Sequence, residues 1–172
     1  VSCNITIDGV VNISINESPI NILNNYSISG LANSIHRWNI TCIDNASNVN
    51  VSETRIFAVD TIMPNVILNS PINLSNTTRT ITFSYNASDL NMQTCRLFIN
   101  ETLNTSTTNL NMNNATNTIN VSLTFGLDGN WTWNVSCNDT ANNIFSVASY
   151  IFTTDSIAPT IGLNIPLNST WI

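Results

Sequence analysis

The residue type in this sequence best placed to carry chemistry is asparagine, because so many asparagines open an Asn-x-Ser/Thr sequon, whose side-chain amide nitrogen accepts N-linked sugar. Eighteen sequons with a middle residue other than proline begin at Asn4, Asn12, Asn16, Asn25, Asn39, Asn45, Asn50, Asn73, Asn76, Asn86, Asn100, Asn104, Asn114, Asn120, Asn130, Asn134, Asn138 and Asn168. From 32 asparagines and 41 serines plus threonines, composition alone predicts about eight sequons. Chance therefore explains fewer than half, and covalent N-glycans are the expected modification.

Cysteine is the second candidate. Cys3, Cys42, Cys95 and Cys137 fall as one pair in each half of the chain, and both members of each pair sit on the inward parity of an alternating segment. That pattern predicts two disulfides, Cys3–Cys42 and Cys95–Cys137, and an oxidising compartment. Zinc is excluded, because pairs so widely spaced, with a single histidine in the chain, cannot assemble four ligands within one half.

Other chemistries find little to work with. The chain contains no lysine; its basic residues are Arg37, Arg55, Arg79 and Arg96. Schiff-base catalysis and lysine–asparagine isopeptide cross-links are thereby ruled out. His36 has no second histidine, lysine or free thiol to form a nucleophile–base pair. Glu17, Glu53 and Glu101 have no acidic counterparts in the other half, so no glycosidase pair is framed. Asp44, Asp60, Asp139 and Asp155 do recur, but each opens a hairpin or precedes a turn, an ordinary use of aspartate. The sequence thus assigns no catalytic residue, no cofactor and no metal site, and reads as a non-enzyme. A net charge of −6 argues against nucleic acid. No apolar run is long enough to span a bilayer in this segment.

The elements that hold these residues emerge from a repeat. Trp38-Asn39-Ile40-Thr41-Cys42-Ile43-Asp44 recurs 95 residues later as Trp133-Asn134-Val135-Ser136-Cys137-Asn138-Asp139, and the same shift maps Phe57 on Phe152, Pro64 on Pro159, Leu68 on Leu163 and Pro71 on Pro166. Cys3 to Asp8 matches Cys95 to Asn100 at a shift of 92. A period of this length is a whole domain.

Period-two alternation marks the strands. Trp131, Trp133, Val135 and Cys137 alternate with polar neighbours, as do Ile119, Val121, Leu123 and Phe125, and more briefly Cys95, Leu97 and Ile99. Further strands are predicted over Val66 to Leu68, Thr80 to Tyr85 and Ile144 to Phe152, with polar turns between them and no helix. By the same parity Asn120, Asn130, Asn134 and Asn138 face outward, where a glycan disturbs no core. The fold class is all-β: tandem immunoglobulin-like antiparallel β-sandwich domains.

The complete repeat resembles the tandem Ig-like domains of archaeal and bacterial cell-surface proteins. The shared elements are a tryptophan-containing penultimate strand ending in cysteine, a short polar hairpin, and a last strand running into Asp-x-x-x-Pro (Asp60 to Pro64 and Asp155 to Pro159). It departs from antibody domains, because the tryptophan precedes the second cysteine on the same strand, and Ile40 and Val135 stand where a tyrosine corner is expected. The resemblance implies architecture and not antigen recognition.

The phase of the repeat divides the chain into residues 1–62, an Ig-like domain lacking its first strands, residues 63–157, a complete domain, and residues 158–172, the opening strand of a further or neighbouring domain. Charged residues make up only 8% of the chain, so glycans are expected to keep its surface soluble and its strand edges unpaired. The expected role is a structural, heavily N-glycosylated repeat of an extracellular filament or surface appendage, assembled head to tail with copies of itself or with adjacent repeats of the same chain. An Ig-like adhesin or spacer of a non-filamentous cell-surface protein is the second reading.

Overall fold

The computed structural model describes residues 1–16, 24–108, 110 and 117–165 of the 172-residue chain. These form two compact units, Val1–Met63 with Ala141–Asn143, and Pro64–Thr140 with Ile144–Ile172. All regular structure among the described residues is β-strand. Among the described residues no helix is long and apolar enough to cross a membrane.

Unit 1 is built on one five-stranded sheet. Its strands are β1 (Ser2–Ile7), β2 (Val10–Ile15), β3 (Ser34–Ile43), β4 (Val49–Val51) and β5 (Arg55–Val59). β3 is the hub, pairing with β1 on one side and with both β4 and β5 on the other, while β2 closes the far edge. β1 and β2 are joined by Asp8 and Gly9, whose φ angles of 49° and 81° make the two-residue hairpin that matches strand twist. Alternation within β1 buries Cys3, Ile5 and Ile7.

Unit 2 is a sandwich of the immunoglobulin type, antiparallel except where β7 meets β14. Its strands are β6 (Asn65–Ser70), β7 (Ser75–Thr77), β8 (Thr80–Ser88), β9 (Met92–Ile99), β10 (Thr102–Thr107), β11 (Asn117–Thr124), β12 (Gly129–Asp139), β13 (Ile144–Ser146) and β14 (Tyr150–Thr154). One layer runs β10-β9-β12-β14-β7 with β13 also on β12, and the other runs β11-β8-β6. Between the layers lie Phe83, Tyr85, Met92, Leu97, Trp133, Val135 and Phe152, each at most 1% exposed. Phe83 meets Trp133 and Phe152 edge-on, at centroid distances of 5.1 and 5.6 Å, a geometry that aligns ring edge with ring face. The Trp133 indole N–H, which burial would otherwise leave unpaired, donates to the Pro71 carbonyl at 3.2 Å.

Two features depart from the strand pattern read in the sequence. The stretch from Ile144 to Phe152 is not one strand. β13 pairs with Ser136 to Asn138 and β14 with Gly129 to Trp133, and between them Val147 N–H reaches the Val135 carbonyl at 3.1 Å. The opening segment also changes layer: β6 pairs with β8, and after Pro71 the chain crosses so that β7 runs parallel to β14. Proline cannot donate to a ladder, so its place is at such a crossing.

Candidate functional site

The disulfides form as expected, Cys3–Cys42 and Cys95–Cys137. Each joins residues directly opposite on neighbouring strands of one sheet, β1 with β3 and β9 with β12, with Cα atoms 4.1 Å apart. An antibody domain instead bridges its two layers. Here the bond fixes strand register, because a slip of one residue would separate the two sulfurs to opposite faces.

The sequon asparagines are spread over both units. Asn12, Asn16, Asn25, Asn45, Asn50, Asn73, Asn76, Asn100, Asn104, Asn120 and Asn130 are exposed, and Asn4, Asn39, Asn86 and Asn134 are half-buried. Asn114 and Asn168 lie outside the described residues. Where an exposed sequon side chain is held by a backbone N–H, it is held by its oxygen. Asn12 Oδ1 accepts from Ile7 at 3.0 Å, Asn50 Oδ1 from Val51 at 2.9 Å, Asn73 Oδ1 from Ile151 at 2.8 Å and Asn100 Oδ1 from Thr132 at 2.8 Å. A backbone donor admits only the amide oxygen as partner, so the orientation is fixed by chemistry. N-glycosylation replaces a hydrogen on Nδ2 and leaves these bonds intact.

Asn138 is the opposite case and corrects the parity reading. It is 7% exposed. Its Nδ2 donates to Gln93 Oε1 at 2.6 Å and to the Asp139 carbonyl at 3.1 Å, while Oδ1 accepts from Arg96 Nη1 at 2.8 Å. The cause is a register shift between Asn138 and Asp139 against β9. Alternation breaks there, so Cys137, Asn138 and Asp139 are all buried in succession. Sugar on Asn138 would remove one of the two hydrogen bonds that this buried Nδ2 donates and would have to be accommodated where the side chain is 7% exposed.

His36 is a buried polar side chain of unit 1. Nδ1 faces Asp8 Oδ2 at 2.6 Å and Nε2 faces the Ala32 carbonyl at 2.8 Å. Both neighbours are acceptors, so both ring nitrogens donate and the imidazole is a cation when the two bonds are made. The Ala32 carbonyl and the Asp8 carboxylate raise the His36 pKa above its ordinary value. The Asp8 pKa is lowered, first by the Arg37 backbone N–H on Oδ1 and then by His36. This arrangement ties a hairpin to a strand; it contains no nucleophile.

The recurring aspartates serve turns. Asp44 Oδ1 accepts from the backbone of Ala46 and Asn48. Asp60 and Asp155 each accept from the N–H two residues on, at Ile62 and Ile157, at 3.0 and 2.9 Å. Asp139 and Asp89 are buried in unit 2, the latter capping Asn91 N–H at 2.8 Å. Of the glutamates, Glu53 pairs with Arg55 in solvent at 2.7 Å and Glu101 stands in a hairpin turn, while Glu17 lies outside the described residues.

The last described segment carries a different signal. Ile157, Ile161, Leu163 and Ile165 are 79%, 87%, 91% and 86% exposed. Under the 95-residue shift, Ile161 and Leu163 correspond to Val66 and Leu68, which are 5% and 7% exposed in β6.

No protein-family model and no curated protein matches the chain. Among solved structures it is similar to the fibronectin(III)-like modules of Clostridium thermocellum CbhA, at 11% identity and a TM-score of 0.48 over 95% of this chain and 83% of that chain.

Proposed function

We propose that this chain is a structural, N-glycosylated repeat of an extracellular filament or surface appendage, joined head to tail with further repeats of its own kind. The observation that carries the reading is the exposed row Ile161 and Leu163, which repeats the two side chains that β6 buries in unit 2. Such a row is costly in water, at about 25 cal/mol per Å2 of apolar surface. It is satisfied by strand addition to an Ig-like layer that still has an open edge. The partner is therefore another repeat, whether in a second molecule or in the same polypeptide.

The two disulfides support an oxidising, extracellular setting. The sequons supply the coat: exposed asparagines held through Oδ1 present Nδ2 to solvent without disturbing the sheets. With so few charges, glycans take over solubility and protection of strand edges, which favours a concealed structural surface over a ligand-binding one. An adhesin or spacer module is the second reading, favoured by nothing beyond the shared fold.

Two measurements test the proposal. Electron micrographs of the native material should show fibres with a regular axial repeat, and an Ile161→Asp/Leu163→Asp variant should abolish them; isolated globular projections would support the second reading instead. Intact mass of the secreted segment should far exceed 18.8 kDa, with sugar on the exposed sequons and none on Asn138. A mass equal to the bare polypeptide would remove the coat from the model of function.

A further inference from the structure

Asn104 sits where the register of β10 breaks. Leu103 faces Phe98 and Thr105 faces Leu97, so Asn104 has no partner residue across the ladder. A bulge of this kind re-aims the extra side chain away from strict alternation. Asn104 lines a cavity of about 360 Å3 within unit 2, together with Ile99, Thr102, Thr124, Phe125 and Trp131. The Phe125 and Trp131 ring centroids are 4.5 Å apart, with Phe125 buried and Trp131 half-buried. The cavity falls near the lower end of small-ligand sites, about 300–1,000 Å3.

Its walls combine aromatic carbon with threonine hydroxyls. That is the surface a pyranose fits, because a sugar ring has an apolar C–H face and a rim of hydroxyls. Asn104 is also the acceptor of its own sequon, Asn104-Thr105-Ser106, and it is the sole sequon asparagine in the lining of this cavity. The geometry points to the linkage sugar of an N-glycan on Asn104 folding back into this cavity and covering the Phe125–Trp131 end of the core. The inference rests on the glycosylation reading above and adds a site at which the glycan is part of the fold.

Unit 1 repeats the bulge but not its surroundings. Ile5 faces Ile13 and Thr6 faces Val11, leaving the sequon residue Asn12 as the extra residue. There Asn12 Oδ1 is already held by Ile7, and the position of Trp131 is taken by His36, whose ring is bound to Asp8 and Ala32. The sugar cradle accordingly belongs to the second repeat.

The test is made on the full chain secreted from an N-glycosylating host, as wild type, Asn104→Gln, Ser106→Ala and Asn120→Gln. Ser106→Ala removes the sequon while keeping Asn104, so a folding defect of the glutamine variant does not decide the outcome. Site-resolved mass should show sugar on Asn104 in the wild type. Amide exchange over Phe125 to Trp131 should then quicken by about threefold or more in both position-104 sequon variants, and stay unchanged in Asn120→Gln. Sugar on Asn104 with no change in exchange on its removal overturns the cradle and leaves the coat standing. Sugar on Asn120 and Asn130 but none on Asn104 does the same. Sugar nowhere overturns both.

Discussion

The two units share a backbone device and differ in the side chain set beside it. In unit 1, Asp8 has φ 49°, donates its N–H to the Arg37 carbonyl and accepts the Arg37 N–H on Oδ1 at 2.9 Å. In unit 2, Asn100 has φ 46°, donates to the Thr132 carbonyl and accepts the Thr132 N–H on Oδ1 at 2.8 Å. The hairpin is pinned to the hub strand in the same way twice. One residue before Arg37 and Thr132, however, the chain places His36 in one unit and Trp131 in the other. His36 is held by a carboxylate and a carbonyl; Trp131 packs on Phe125 and donates Nε1 to Thr154 Oγ1 at 3.0 Å. The comparison teaches that the frame tolerates exchange of a charged anchor for an aromatic one, provided each finds its hydrogen bonds.

The largest test of the comparison uses the paired tryptophans. Trp133 is 1% exposed and hydrogen-bonded to Pro71, whereas its counterpart Trp38 is half-buried. Trp133→Ala should destabilise unit 2 by about 3–5 kcal/mol, and Trp38→Ala should cost unit 1 roughly half as much, since less apolar area leaves water on folding. Urea denaturation followed separately in each unit by hydrogen exchange checks this; equal losses would break the comparison.

The disulfides come next. Their loops span 39 and 42 residues, so in the chain-entropy model replacing either pair by alanines should cost about 4 kcal/mol. Because both bonds join neighbouring strands, the two losses should be alike. A markedly larger loss in one unit would show that register there depends on the bond more heavily than the shared pairing implies.

The pH response should separate the units. His36 has a raised pKa, so its contribution is complete below its ordinary value, about 6.5, and is lost as pH rises through the raised value. Asp8 is lowered, so its contribution is present above the ordinary carboxylate range and lost as pH falls. Unit 1 should thus be most stable in mildly acidic solution, and His36→Gln should flatten its alkaline limb. Unit 2 has no ionisable group at the equivalent pair. Its response lies at the acid end, where Asp128, held to about 2 by the Arg79 guanidinium and then by Ser156, loses its stabilising charge as pH falls. Thermal unfolding from pH 2 to 9 reads both limbs.

The smallest effect concerns the second hairpin residue. Gly9 adopts φ 81° and its counterpart Glu101 φ 64°. A side chain in that region costs about 1 kcal/mol, so Glu101→Gly should raise unit 2 stability by up to that amount, and Gly9→Glu should lower unit 1 comparably. Melting temperatures of the two variants should move in opposite directions.

Much of this was legible in alternation alone. Trp133, Val135 and Cys137 read as one inward face, and the structure buries all three. Cysteine parity gave both pairings. It could not give their placement, because inward residues of neighbouring strands and of opposite layers obey the same parity. Parity places Asn138 outward because it assumes an unbroken ladder, whereas the ladder shifts at that residue. Parity is blind to the bulge at Asn104 for the same reason. The His36–Asp8 pair joins residues 28 apart across a hairpin, and no periodicity reports such a contact. The Asp-Gly dipeptide marks a two-residue turn between β1 and β2, but the pairing of β1 with β3 that brings Asp8 to His36 is non-local.

The parallel pairing of β7 with β14 has a mechanical consequence. The ladder runs from Leu74 N–H on the Ile151 carbonyl at 2.6 Å to Asp155 N–H on the Thr77 carbonyl at 2.9 Å. Tension applied at Pro64 and Ile157 pulls these adjacent strands in opposite directions along their length. The bonds between them are then sheared together and must fail together, which takes far more force than peeling one at a time. Once they fail, the Cys95–Cys137 bond withholds the 42 residues it spans from extension, about 140 Å of contour length at roughly 3.3 Å per residue. Force spectroscopy with and without reductant should differ by that length.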